Sequence, residues 1–230
     1  MKLIEIKNMS KSFPIGKGEF LALKDINLEF SKGEFTGIVG PSGSGKTTLL
    51  NIIGSLDTQT KGEVVVMNHK IEDLSAKMSA RLRSESIGFI FQTYNLLPVY
   101  TVYENVEFPL LLLKMPKQER RKAVLEALAW LGLSDKEKSR PAQLSGGECQ
   151  RVAIARAIVK KPSLVLADEP TANLDSENSH NILRNMKKLN QEMGTTFIFS
   201  THDPKVVQYL NRKISLQDGK VVKDENVSGD

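Results

Sequence analysis

Two hydrophobic periods share this chain, and the places where one gives way to the other predict its elements. Leu3–Ile6, Phe20–Leu23 and Ile26–Phe30 are short β-type runs, read as antiparallel strands, with turn material at Gly16-Lys17-Gly18. Phe35–Val39 is continuously apolar, as a buried strand requires, and a helix should run from Lys46 to about Ile53. Gly62–Met67 and Ile87–Phe91 read as further strands. From Leu96 to Lys160 the period becomes helical, with starts near Val102, Pro116 and Ser145. Proline in a first helical turn and serine as an N-cap are both chemically suitable starts. Alternation then resumes through a strand at Ser163–Ala167, a helix at Ser176–Met193 and a strand at Thr196–Ser200. A short helix after Pro204 and strands at Arg212–Leu216 and Lys220–Lys223 complete the series. The expected fold is α/β: a mostly parallel core sheet, an antiparallel β lobe before it and a helical insertion within it.

Composition narrows the picture a little. An apolar fraction of 40% and a charged fraction of 26% describe a well-cored globular chain of 230 residues. The formal charge of +5 is mild. Its carriers, among them Arg81, Arg83, Arg120, Arg121, Lys122, Lys187 and Lys188, are scattered through predicted helices and read as solvated faces. No basic stripe interleaved with aromatics appears, so no nucleic-acid partner is expected. The single cysteine, Cys149, cannot form an intrachain disulfide, which fits a reducing compartment. Met1–Ile6 reads as a first strand instead of a signal peptide. The most apolar stretch, Phe108 to Leu113, is interrupted by Pro109 and is far shorter than the ~20 residues a bilayer crossing needs.

Three distant segments carry chemistry. Gly40-Pro41-Ser42-Gly43-Ser44-Gly45-Lys46-Thr47 lies between an apolar strand and a helix, the context of a phosphate-cradling loop. Its glycines let backbone amides face phosphate oxygens without a Cβ in the way. Lys46 adds charge against the same oxygens, and Thr47 offers a hydroxyl to Mg²⁺. Leu164-Val165-Leu166-Ala167 delivers Asp168 and Glu169 to the carboxyl end of a buried strand, where open α/β sheets keep their ligands. Asp168 suits the Mg²⁺ shell and Glu169 suits polarising an attacking water. Ser145-Gly146-Gly147-Glu148 opens a helix. Ser-x-x-Glu is a capping box and explains its two ends. It does not explain paired glycines, each costing ~1 kcal/mol of helix stability, whereas a phosphate arriving at bare amides does.

Together these motifs resemble the ATP-binding subunit of an ABC transporter, a P-loop ATPase, over about residues 2 to 222. The resemblance implies one ABC ATPase domain over 1–230. Its antiparallel lobe would take about 1–34 and 62–71, its RecA-like core about 35–95 and 160–220, and its helical insertion about 96–159. It also implies ATP and Mg²⁺ as ligands, with Thr48 joining the loop residues in the nucleotide site. Phe13 matches the aromatic that stacks on adenine, and Gln92 the glutamine that joins the Mg²⁺ site to a membrane partner. Asp175, in Asn173-Leu174-Asp175, matches a residue that contacts the opposite subunit, and His202 one that meets the γ-phosphate and the attacking water. The family's commonest residue at position 148 is Gln; a Glu148 carboxylate is expected to close the capping box and turn from the nucleotide. His69 and His180 lie outside any motif and read as surface residues.

The family implies an ATP-dependent pair of such subunits, integral-membrane permease subunits, and a place in the cytoplasm on the inner face of the cell membrane. Phe89 to Pro98, Thr101 to Leu110 and Gly54-Ser55-Leu56-Asp57 resemble the lipoprotein-release and macrolide-exporter type. A non-transporting signalling complex of the cell-division type would use the same motifs. A soluble ATPase of DNA repair or translation is disfavoured, because neither heptad insertions nor tandem cassettes are visible.

Overall fold

Alternate residues of the central strands face opposite ways, and two cores result. In β7 (Leu164–Asp168) Val165 and Ala167 join one buried cluster while Leu164 and Leu166 join the other. In β8 (Thr196–Thr201) Phe197 and Phe199 divide from Ile198 in the same way. A strand buried on both faces needs cover on both, so the chain supplies helices to one side and a helix and second sheet to the other. The computed structural model describes residues 2–16 and 18–227; Met1, Lys17 and Ser228–Asp230, named in part above, lie outside the described residues.

The remaining elements follow from that demand. β1 (Lys2–Ile15) and β2 (Gly18–Ser31) pair antiparallel. β4 (Lys61–Val66) pairs with β1, and β5 (His69–Lys70) with β4, giving a four-stranded sheet in the order β2-β1-β4-β5. The second sheet runs β10-β9-β3-β8-β7-β6. Here β3 is Phe35–Val39, β6 Ile87–Ile90, β9 Arg212–Gln217 and β10 Lys220–Asn226. All its pairings are parallel except β9 with β10. The helices are α1 (Lys46–Ile53), α2 (Ala76–Ser86), α3 (Val102–Leu112), α4 (Lys117–Trp130), α5 (Gly146–Ile158), α6 (Ser176–Met193) and α7 (Pro204–Val207). α3 to α6 cover one face of the second sheet; α1, α2 and the first sheet cover the other. No described helix is long and apolar enough to cross a membrane.

Four expectations change. Phe20–Leu23 and Ile26–Phe30 are one strand, β2, bent where register shifts and left-handed Asn8 and Asp25 absorb extra residues. α2 was not foreseen, because it buries only Leu82 and so lacks an apolar stripe. Several cations expected on solvated faces are structural: Arg83 donates to the Ser55 carbonyl at 2.6 Å, Arg120 pairs with Glu107 at 2.8 Å, and Lys187 lies 4.9 Å from the Phe35 ring centroid. His180 is half-buried against the Tyr209 hydroxyl at 2.8 Å, whereas His69 is exposed as expected.

The loop before α3 has no strand or helix to satisfy it, and a single side chain does so. Asn105, fully buried, accepts from the Leu97 amide at 2.8 Å and donates toward the carbonyls of Leu97, Tyr100 and Thr101 at 2.9 to 3.3 Å. Asn105→Ala strands several of these groups away from water, and should lower unfolding free energy by about 2–3 kcal/mol in urea titration.

Candidate functional site

The parallel register delivers three sets of polar residues to one edge. Val39 is level with Thr201, and Asp168 with Ser200, so β3, β7 and β8 end together at Gly40, Asp168-Glu169 and Thr201-His202. Gly40 closes the turn out of β3 in a place only glycine fits: a Cβ there would lie 2.1 Å from the Leu216 carbonyl oxygen. Gly43 and Gly45 have left-handed φ of 79° and 103°, and a Cβ on Gly45 would meet the Ala22 oxygen at 2.8 Å. Pro41 and Ser42 form the exposed tip, and Thr48 is half-buried in the first turn of α1. The Ser44 hydroxyl oxygen is buried without a partner among the described residues. Lys46, 7% exposed, folds back so that its ammonium donates to the carbonyls of Gly40 at 2.9 Å and Pro41 at 3.0 Å. The loop is therefore a bare concave arc of amides with a cation already over it.

The acids converge on the same place. The Thr47 hydroxyl donates to Asp168, whose carboxylate oxygens lie 3.0 and 3.2 Å away. That hydroxyl and carboxylate fit Mg²⁺, which bound with substrate phosphates needs only one or two protein carboxylates. Accordingly, no group of three or more His, Cys, Asp or Glu gathers as a separate metal cluster among the described residues. Glu169 follows in a left-handed conformation, φ 45°, its amide donating to the Ser200 carbonyl at 2.8 Å. This bend swings its carboxylate away from that of Asp168 and onto His202 Nδ1 at 2.6 Å, with the Thr201 hydroxyl donating to the other oxygen at 3.3 Å. The Glu169–His202 contact was not foreseen from sequence, since it depends on the bend after β7. A carboxylate held this way, with an open edge, can accept a proton from a water beside a phosphoryl group.

Ser145, Gly146, Gly147 and Glu148 are placed elsewhere. Ser145 caps α5: its hydroxyl accepts from the Glu148 amide at 3.3 Å, while Glu148 accepts from the Ser145 amide at 2.8 Å. The second Glu148 oxygen pairs with Lys136 at 3.1 Å. The carboxylate thus turns into the capping box, as expected, and only the backbone at 148 remains for a nucleotide. The two glycines differ. Gly147 is buried, and a Cβ there would meet the Asn178 side-chain oxygen at 2.9 Å, so a larger residue would have to displace that side chain. Gly146 is exposed, with the Tyr94 hydroxyl and the Asn173 carbonyl its nearest neighbours. Bonds of this segment run to Lys136 and within itself, and none of those among the described residues reaches 40–47.

The other expected residues frame these two halves. Phe13 is 37% exposed, and Lys11, held by Asp57 at 2.6 Å, lies 4.9 Å from its ring centroid. Phe20, a second exposed ring overlooked in the sequence, pairs directly opposite Phe13 on the neighbouring strand. Gln92 is exposed, and its carbonyl accepts from Asn173 at 2.7 Å. Asp175 caps α6, accepting from the Asn178 amide at 2.9 Å and side chain at 2.6 Å.

Comparison with known proteins agrees with this geometry. The family model described as ABC transporter matches residues 23–172. The chain belongs to the ABC transporter family. Among relatives of this ABC subunit is an uncharacterized ABC transporter ATP-binding protein of Methanocaldococcus jannaschii, MJ0796, 46% identical over 99% of this chain and 98% of that one. Another is the lipoprotein-releasing system ATP-binding protein LolD of Francisella tularensis, 45% identical over 95% of each. The structure of MJ0796 as a post-hydrolysis dimer bound to ADP and Pi superposes with a TM-score of 0.90 at 45% identity, covering 98% of this chain and 99% of that one. The protein is accordingly an ABC transporter ATP-binding subunit and an ATPase, with ATP and Mg²⁺ as the family's ligands.

Three outcomes follow for the ABC subunit. Lys46→Ala should weaken ATP binding at least about tenfold by calorimetry, since a buried charge above the loop is lost. Glu148→Gln keeps an N3 side chain able to cap and should leave ATPase activity within about twofold. Amide bonding and Lys136 hold the Glu148 carboxyl below the usual glutamate value of 4.5. Its stabilisation is therefore complete above that value and lost as acid titrates the folded state, so the Gln variant should show a shallower acid limb in melting temperature against pH.

Proposed function

We propose that two copies of this chain close head to tail on two ATP molecules, and that closure and hydrolysis drive an integral-membrane permease at the inner face of the cell membrane. One observation carries this reading: each chain has the phosphate loop, Asp168 and Glu169 on one edge, while Gly146 is exposed and, among the described residues, the side-chain bonds of its 145–148 turn run within the turn and to Lys136, not to that edge. Neither half surrounds a triphosphate alone. The dimeric structures of MJ0796 support a partner copy as the source of the second half.

In this reading residues 40–48 hold the β- and γ-phosphates, with the helix α1 amides facing the anion. Thr47 and Asp168 would hold Mg²⁺, which would offset negative charge on the phosphates. Phe13 stacks on adenine. Gln92 senses the site from the Asn173-tethered turn, and the partner's copy of the 145–148 turn closes over the γ-phosphate, with Asp175 near the seam. Glu169, aligned by His202 and Thr201, takes a proton from water as its oxygen attacks phosphorus. The bond to the β–γ bridging oxygen breaks, and ADP and phosphate leave.

A groove of about 420 Å³ supports the permease. It lies between Phe89 and Phe91 on one side and Phe108, Pro109 and Leu112 on the other, with Leu56 at its rim. Leu112 is 60% exposed, and an apolar groove of this kind suits a short helix of another chain. The name of LolD supports the lipoprotein-release type for that partner.

Glu169→Gln tests the reading. The variant should bind ATP, hydrolyse at least about a hundredfold more slowly and accumulate as a dimer in sedimentation. Retained turnover would remove Glu169 from proton transfer, and an ATP-loaded monomer would remove the paired site.

A further inference from the structure

Two half-buried cations lie one turn apart, Arg156 in α5 and Lys160 past it, and both are spent on backbone carbonyls outside the helix. Arg156 donates to the carbonyls of Tyr94 at 2.6 Å and of Asn95 beside it. Lys160, just beyond the helix end, donates to the carbonyls of Arg83 and of Ser84, the latter at 2.8 Å, in the last turn of α2. Neither ends on a carboxylate. Desolvation pushes the Arg156 guanidinium down from its usual value and the Lys160 ammonium down to about 8. Taking two unpaired charges even partly out of water is costly.

Their targets explain the cost. Tyr94 and Asn95 are both left-handed, with φ of 59° and 48°, a strained pair for residues other than glycine. Arg156 fastens that strained turn to α5, and the Tyr94 hydroxyl lies close over Gly146 at the helix's other end. Asn173 fastens the same turn through Gln92. Arg156, Lys160, Arg83, Ser84 and Asn95 also line the apolar groove. A helix is stiff, and ten residues separate Gly146 from Arg156, a lever of about 15 Å.

We propose that Arg156 and Lys160 are positioning residues: they clamp α5 to the Gln92–Asn95 turn and to the end of α2, so that an occupant of the groove is felt at Gly146. The inference rests on the paired-site reading above, and adds how groove and phosphate-closing turn are joined. Two sites joined by one rigid element with fixed ends share a coupling free energy without a diffuse network. Arg156 supplies a planar fork matched to two adjacent carbonyls, which a lysine does not reproduce. Lys160 has charged neighbours on every side: Arg83 from α2, Arg156 from α5, Lys161 beside it, and Glu119, Lys122 and Glu126 from α4 across a second cleft.

The experiment uses the full chain with Arg156→Lys and Lys160→Met, each alone and combined with Glu169→Gln. ADP affinity, a single-chain property, should stay within about twofold. ATP-driven dimerisation in the Glu169→Gln background and kcat in the parent background should each fall at least about fivefold. Lys160→Met should also melt above the parent at pH 7, because a partly desolvated, unpaired charge is gone. A lysine depressed in the fold binds fewer protons there than unfolded, so the parent gains stability between about pH 8 and its ordinary 10.5, and the difference should close across that window. Parent-like dimerisation and kcat in both variants would overturn the clamp while leaving the paired site intact. A lower melting point at pH 7 alongside lost turnover would assign Lys160 to the fold alone and overturn its part. If Glu169→Gln by itself never dimerises with ATP, the paired site falls, and the clamp's role falls with it.

Discussion

The parallel register of β3, β8 and β7 is the constraint from which the site descends. Val39 against Thr201 and Asp168 against Ser200 put a loop, two acids and a histidine at one edge without any of them choosing its place. Side chains buried on both faces hold that register, because a slip of one residue would exchange Phe197 and Phe199 with Ile198 between cores of different shape. The polar ends can then tolerate strain. Glu169 sits left-handed directly after a strand whose first four residues are fully buried, and the firmness of that strand is what makes the bend affordable.

Charge placement in the same edge shows a second order of control. Lys46 is tied to its own loop carbonyls, so its ammonium is already near the arc of amides that a polyphosphate would occupy. Thr47 and Asp168 face each other at hydrogen-bond distance, and Glu169 is anchored by two partners from β8 and its end. Such preorganisation reduces the reorganisation needed when charge arrives, which is where most of the rate advantage in phosphoryl transfer resides. The start of α5 treats its acid differently: the Glu148 carboxylate is occupied by the cap and Lys136.

Much of this was legible in the chain. α1 and α6 run over the expected residues because an apolar face begins and ends at clear caps, Asp175 and Gly194 for α6. The family and the α/β class followed from motif order, and the comparisons agree. What escaped has physical causes. β2 looked like two strands because a left-handed Asp25 interrupts alternation, and only pairing with β1 shows its continuity. α2 escaped because it buries one leucine. The paired glycines looked equivalent, yet the Asn178 contact that separates Gly147 from Gly146 spans thirty-one positions and leaves no local trace. The buried roles of Arg83, Arg156 and Lys160 are likewise invisible, since a cation bonded to carbonyls has no partner charge to betray it.

A site split between two edges of one fold has an energetic consequence. A nucleotide held by residues 40–48 alone gains the same contacts whether the chain is alone or paired, so those contacts cannot bias pairing. Bias comes only from groups that meet the triphosphate in one state, and in the proposed pair the exposed Gly146 turn would be such a group. Moving a balance from 1:99 to 99:1 takes about 5.5 kcal/mol of differential affinity. Two such turns, one per nucleotide, would each supply about half of that, within reach of a few charge-assisted hydrogen bonds. Cleavage removes the γ-phosphate from the covalent nucleotide and with it the contact that distinguishes the states. In the proposed pair the strength of the closed state would follow α5's aim, and whatever fixes that aim would set how much of each hydrolysis becomes motion.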